Sequence, residues 1–167
     1  ETGLYYGMKT LKQLMCASIT GTGPDATVDV PVCTIRDWPD MEERGQWGGS
    51  CVEDMAWLSD CKFNLVERHA EIKVSKDGAS TVTFYPEFIA DAKLHGVRVV
   101  PIIHHLEQLA RTGLFDAYPN LRGVNAQESI CFSQPEITEV VADWLAQLGR
   151  MEGVDEVHVD KDVVAGT

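Results

Sequence analysis

No stretch of this sequence stays apolar for long. The longest run, Val99 to Ile103, falls far short of the roughly 18 residues that cross a bilayer, so no segment reads as a transmembrane helix and no membrane partner is expected. Basic residues are scarce as well: 14 Lys and Arg stand against 26 Asp and Glu, giving a formal net charge of −12. Such a surface repels a phosphate backbone or anionic headgroups, which argues against nucleic acid and favours a neutral or cationic ligand. The five cysteines, Cys16, Cys33, Cys51, Cys61 and Cys131, include no C-x-x-C pair. Neither a full disulfide framework nor a zinc knuckle is indicated, and most of these thiols are expected to be buried. The metal motifs H-x-H and H-E-x-x-H are missing too.

What is present is ordinary globular composition: 167 residues, 44% hydrophobic and 24% charged. A chain of this size buries roughly two-thirds of its unfolded surface, enough for one core without covalent staples. It opens at Glu1 almost directly into Leu4-Tyr5-Tyr6-Gly7-Met8, without an initiator Met or a signal peptide. This start suggests a piece of a longer protein.

Leu4, Met8, Leu11, Leu14 and Met15 recur at helical spacing, and a turn-rich linker follows from Ser18 to Asp25. Val28 to Ile35 alternates in the strand manner before Asp37-Trp38-Pro39-Asp40 breaks it. Beyond that point short apolar runs alternate with amphipathic helices, the pattern of βαβ units around a parallel sheet. The predicted strands are Gly45–Gly49, Phe63–His69, Val97–His104 and Val154–Asp160. Ser50-Cys51-Val52-Glu53 and Ser133-Gln134-Pro135-Glu136 read as capping boxes opening the first and third helices. Pro86 and Gly96 frame the second. The third presents Ile137, Val140, Val141, Trp144, Leu145 and Leu148 as one stripe, with Gly149 or Gly153 ending it.

The polar residues that follow these strands are Trp47, then Glu67 and His69, then His104, His105 and Glu107, then His158, Asp160 and Asp162. They gather at C-terminal strand ends, where parallel α/β folds place ligands. Each carboxylate taken alone could equally cap a helix or face water. The histidines with Glu107 also permit a metal-ligand reading, since imidazole and carboxylate suit a divalent ion. Among the tryptophans, Trp144 is core by its stripe, Trp57 is expected to be core, and Trp47 is the candidate for stacking on a sugar ring.

The order of segments resembles a known family. Leu4-Tyr5-Tyr6-Gly7-Met8-Lys9-Thr10-Leu11-Lys12-Gln13-Leu14 is similar to the helix closing the small α+β domain of glycoside hydrolase family 20, the β-N-acetylhexosaminidases. Ile35-Arg36-Asp37-Trp38-Pro39-Asp40 resembles the lead-in to that family's barrel, and Glu43-Arg44-Gly45 its first-strand Arg-Gly. Lys62-Phe63-Asn64, Gly96-Val97-Arg98-Val99-Val100-Pro101 and Val157-His158-Val159 resemble the next three strand entries. The resemblance implies an α/β fold: residues 1–30 as the end of an α+β domain and linker, and residues 31–167 as the first half, about four βα units, of a (β/α)₈ TIM barrel. It also implies exo-acting, substrate-assisted retaining hydrolysis of N-acetylhexosaminides, without a cofactor, in an extracellular or periplasmic setting.

On this resemblance Arg44 would bind sugar hydroxyls, the alternative being a salt bridge with Glu42 or Glu43. Glu67, His104, Glu107, His158 and Trp47 would complete a substrate-binding set. Asp162 falls where the family's orienting Asp belongs, with the acid chemistry open among Asp160 or Asp162, Glu67 or Glu107, or a residue beyond Thr167. Val163, however, stands where the proton-donating Glu is required. Three readings stay open: a divergent glycosidase, a carbohydrate-binding relative without catalysis, and a metal-dependent hydrolase. A barrel opened after four strands also leaves unpaired edges, so self-association is expected.

Overall fold

The computed structural model describes residues 2–47, 53–103, 109, 111–124 and 130–159. Helix α1, Thr2–Ala17, is followed by a small antiparallel pair, β1 (Ile19–Thr20) and β2 (Thr27–Val28), joined through a 3₁₀ turn at Gly23–Asp25. Beyond Val28 the chain runs without regular structure to β3, so the strand expected over Val28 to Ile35 is not formed. Two prolines, Pro31 and Pro39, remove ladder donors from that segment.

The centre of the molecule is a curled half-barrel of four parallel strands: β3 (Gly45–Trp47), β4 (Leu65–His69), β7 (Arg98–Ile103) and β8 (His158–Val159), adjacent in that order. Because spatial order follows chain order, every crossover winds the same way. A doubly wound sheet would instead reverse at a switch point. Among the described residues the fourth strand starts at His158 rather than Val154, pairing Ile102 with His158 and Ile103 with Val159, and Asp160 lies outside them.

Helix α2, Met55–Asp60, connects β3 to β4. Its described cap is Asp54, whose carboxylate accepts from the Trp57 N–H at 2.8 Å; Ser50 to Val52 lie outside the described residues. The helix closes with Phe63 N–H donating to Leu58 O and Lys62 N–H to Ser59 O, both at 2.9 Å. This C-terminal motif needs a left-handed residue, and Lys62, at φ +61, occupies it in place of glycine. Helix α3, Pro86–Leu94, ends in the same motif with Gly96 at φ +67, as its sequence indicates.

Between β4 and α3 stands an antiparallel hairpin that the periodicity reading passed over: β5 (Glu71–Val74) and β6 (Ser80–Thr83), turning at Asp77-Gly78. The side chain of Gln147 closes the exposed edge of β6, accepting from Val82 N–H at 2.8 Å and donating to Ser80 O at 3.1 Å. Helices α4 (Leu114–Ala117) and α5 (Glu136–Leu148) follow β7. The capping box expected at Ser133 does not form. The position before α5 is Pro135, already helical, without a side-chain cap. The stripe itself holds, with Ile137, Val140, Trp144 and Leu148 buried and Val141 and Leu145 packed at the margin of the core.

The core lies on the convex side of the sheet, where Val66, Val99 and Ile103 meet Phe84, Phe88, Ala92, Leu114 and Trp144. Two expectations are corrected here. Trp57 is 47% exposed, stacked on Phe63 rather than buried. Cys16, Cys33 and Cys61 are exposed, and only Cys131 is half-buried among the described cysteines.

Helix α1 is held by polar groups. The Tyr5 hydroxyl bonds Ser59 and the His95 carbonyl, Lys9 and Lys12 both pair with Asp60, and Lys62 pairs with Asp37 and with Thr10. Its apolar residues Leu4, Met8, Leu11 and Met15 face outward. Lys12, then Lys9, hold the Asp60 carboxyl below its ordinary value, and Lys62 does the same for Asp37. A carboxylate with a depressed folded pKa stabilises fully above its unfolded value, and the contribution disappears as pH falls through the folded one. The amide protection factors of α1 are therefore expected to decline below about pH 4, and Asp60→Asn should already show lowered protection factors at neutral pH.

Two substitutions test the core. Trp144→Ala empties a fully buried site and should cost about 3–5 kcal/mol in urea unfolding. At Gly113, φ is +91 and an added Cβ would lie 2.3 Å from the Val74 carbonyl oxygen. Gly113→Ala should lower the urea midpoint through both backbone strain and the collision.

Candidate functional site

Successive side chains on a strand point to opposite faces. On β4, Val66 and Arg68 turn outward to the helices, and the Arg68 guanidinium lies 4.3 Å from the Tyr85 ring centre and 4.7 Å from that of Phe88. Leu65, Glu67 and His69 consequently face the hollow. Register extends this assignment across the sheet. Gly45, Leu65 and Arg98 form a first row, Trp47, Glu67 and Val100 a second, and His69, Ile102 and His158 a third.

The first row lies at the N-terminal edge. There Arg98 is neutralised by Glu156 at 2.9 Å and Glu43 at 2.5 Å. The second and third rows form the C-terminal rim. His158 Nδ1 stands 3.3 Å from Glu67 Oε2 across the intervening β7. Strands two apart in a flat sheet are separated by about 9–10 Å, so curling is what lets these two side chains meet. The indole of Trp47 is 55% exposed and stands nearly perpendicular to the His69 ring, with centroids 6.1 Å apart. Rim side chains thus combine an exposed indole, a carboxylate and an imidazole: a hydrophobic platform, a strong acceptor and a ring that can donate or accept a hydrogen bond.

Of the residues singled out from sequence, the structure brings Trp47, Glu67, His69 and His158 together. His104, Glu107, Asp160 and Asp162 lie outside the described residues. Arg44 is not brought to this rim. It precedes β3 at the opposite edge, where its Nε donates to Lys62 O at 2.9 Å and its Nη1 to Met41 O at 2.7 Å and Glu42 O at 3.1 Å. Its backbone N–H donates to Asn64 Oδ1 at 2.8 Å, and its guanidinium lies 5.4 Å from the Tyr6 ring centre. Neither Glu42 nor Glu43 forms an ion pair with it among the described contacts, and Glu43 pairs with Arg98 instead.

Two cavities lie away from the rim. One, of about 720 Å³, separates α1 from the irregular segment and is lined by Tyr6, Leu11, Leu14, Ile35, Trp38 and Lys62 among others. The second, of about 470 Å³, opens between Ile89 and Lys93 on one side and Gly153 to Glu156 on the other. Both sit toward the N-terminal ends of the strands. Volume alone would favour the first, but its polar groups Lys62, Asp37 and Arg44 are already engaged with one another or with backbone. Among the described residues no cluster of three or more His, Cys, Asp or Glu could hold a metal ion.

No model of a known protein family matches the chain, and no curated protein matches it by sequence. Its fold is similar to that of the chitobiase of Flavobacterium johnsoniae, over 94% of this chain and 28% of that one, at a TM-score of 0.61 and 14% identity. A crystal structure of a β-N-acetylhexosaminidase aligns with 87% of this chain and 40% of its own, at a TM-score of 0.49 and 17% identity. The chain therefore spans under a third of the chitobiase and under half of the second enzyme, and at such identities the likeness concerns the fold.

Arg44→Ala should destabilise the fold by about 1–3 kcal/mol, since three carbonyls lose a charged donor. Urea unfolding checks this, and Arg44→Lys should recover only part of the loss because one ammonium cannot reproduce the planar fork.

Proposed function

We propose that the chain forms the first half of a glycosidase-type barrel, residues 31–167, whose C-terminal rim holds the terminal sugar of a hexosaminide. The observation that carries this reading is the convergence of Trp47, Glu67 and His158 on the concave face at the C-terminal strand ends. Parallel barrels bind ligands at that end, because the βα loops meet there. The pyranose would lie against the Trp47 indole, with Glu67 and His158 taking its hydroxyls.

The fold likeness to a chitobiase supports the carbohydrate class. For hydrolysis we assign the orienting carboxylate to Asp162 and proton donation to Asp160. The acid would need a raised pKa to act as donor near neutral pH. His104 and Glu107 would join the substrate-binding set, whereas Arg44 is assigned to shaping the entry to β3. Residues 1–30 are assigned to the end of a preceding α+β domain.

Val163, which follows Asp162 directly, favours a second reading, in which the rim binds sugar without cleaving it. Release of chromophore from aryl hexosaminides, abolished in Asp162→Asn and in Asp160→Asn, supports hydrolysis. Saccharide affinity without turnover supports the binding reading. In either case Trp47→Ala should weaken saccharide affinity about ten-fold or more, as loss of a stacking face does. An unchanged affinity in Trp47→Ala removes the rim from the reading.

A further inference from the structure

A stacking platform needs a plane that is held, and what holds it here is inferred on the reading that the rim binds a saccharide. Trp47 is poorly placed to hold itself. Its indole is 55% exposed, and it sits on β3, which among the described strands pairs with β4 alone. An exposed side chain on an edge strand has several rotamers open to it, and selecting one of them on binding costs affinity.

Among the described residues, the ring that meets this indole is that of His69. Trp47 stands opposite Glu67, so His69, two residues further along β4 and on the same face, is its diagonal neighbour on the rim side. The two ring planes cross at 83°, with centroids 6.1 Å apart, inside the range over which perpendicular ring pairs attract. Unlike Trp47, His69 is anchored. β4 lies between β3 and β7, His69 pairs with Ile102, and the following Ala70 N–H donates to Ile102 O at 2.9 Å. The His69 ring is half-buried, and its Nε2 is fully buried.

We propose that His69 is a positioning residue, whose ring fixes the plane of the Trp47 indole ahead of saccharide binding. The two imidazoles of the third row then divide the work. His158, with its side chain 46% exposed and bonded to Glu67, is open to a ligand. His69 is shielded and acts through the indole it touches. The gain is pre-organisation, because a side chain locked by packing loses no rotamer freedom when the sugar arrives. The role lies in the ring and not in its nitrogens, so phenylalanine can fill it.

The test has a ligand-free arm and a binding arm, both on the whole chain. Subtracting the near-ultraviolet circular dichroism of Trp47→Phe from that of the native chain isolates the Trp47 signal, since Trp38, Trp57 and Trp144 cancel. Such a signal reports a side chain held in fixed packing. Taken in the His69→Ala background, the same difference is expected to fall to about half or less, and in the His69→Phe background to be retained. Titration calorimetry with an N-acetylglucosamine trimer should give an affinity about three- to ten-fold weaker in His69→Ala and within about two-fold of native in His69→Phe. A residue that only stabilised the fold would lower the urea midpoint and leave the Trp47 signal unchanged.

An undiminished Trp47 signal, or an unchanged affinity, in His69→Ala overturns the inference and leaves the saccharide reading standing where Trp47→Ala still weakens binding. A loss that a natively folded His69→Phe fails to restore overturns the assignment to the ring. No binding of the trimer by the native chain overturns the reading and the inference together. If His69→Ala does not fold, the His69 ring-proton resonances of the native chain serve instead: they should move in Trp47→Ala, and resonances that stay in place overturn the contact.

Discussion

The pleat of β4 decides most of what this molecule can do. Five residues, Leu65 to His69, alternate between two very different surroundings, and the register with β3 and β7 carries the alternation across the sheet. Arg68 on the outside is fixed by two aromatic rings, and Val66 on the same face is completely buried. A slip of one residue would bring the guanidinium into the hollow and push Glu67 into an apolar core. A lone carboxylate there would cost several kcal/mol, so register and charge placement are tied to one another.

Curvature does the rest. Glu67 and His158 are 91 positions apart in sequence and two strands apart in space, and they meet because the sheet is concave on that side. The same curvature places the helices and the hairpin on the convex face, where Gln147 closes the edge of β6 and Tyr118 sits over Gly78. Helix α1 is attached differently. Its bonds run to the C-terminal ends of α2 and α3 through Tyr5, Lys9 and Lys12, with cations meeting the negative ends of helices. It turns its apolar side outward, the reverse of what an isolated amphipathic helix on a closed core would do.

Much of the architecture was legible in the order of residues because it depends on local pattern. The stripe from Ile137 to Leu148, the Pro86 and Gly96 boundaries, and the continuous apolar run of β7 each reflect a spacing that only one element satisfies. The hairpin at Asp77-Gly78 was also written in plain alternation but lay between two stronger signals. The capping box at Ser133 failed because Pro135 already takes helical angles and Ser133 stays in the preceding turn. Trp57 and Cys61 are exposed because α2 is short and shows one face to the core; Cys16 sits on the solvent side of α1 and Cys33 in the irregular segment that follows it. That Trp47, Glu67, His69 and His158 stand at C-terminal strand ends followed from the strand pattern. The separation of Arg44 from them did not, since its place beside Gly45 belongs to the far edge of the sheet.

Composition and periodicity by themselves determined that the chain folds around a parallel sheet, that its surface is strongly acidic, and that a row of polar groups follows the strands. These are properties of spacing and count, which survive without coordinates. Tertiary structure alone decided which of those groups share a face, that Glu67 reaches His158 while Arg68 and Arg98 are led away, and that α1 docks by its polar side. Such outcomes depend on register and curvature, which pairwise contacts between distant segments set and which no local stretch of sequence encodes.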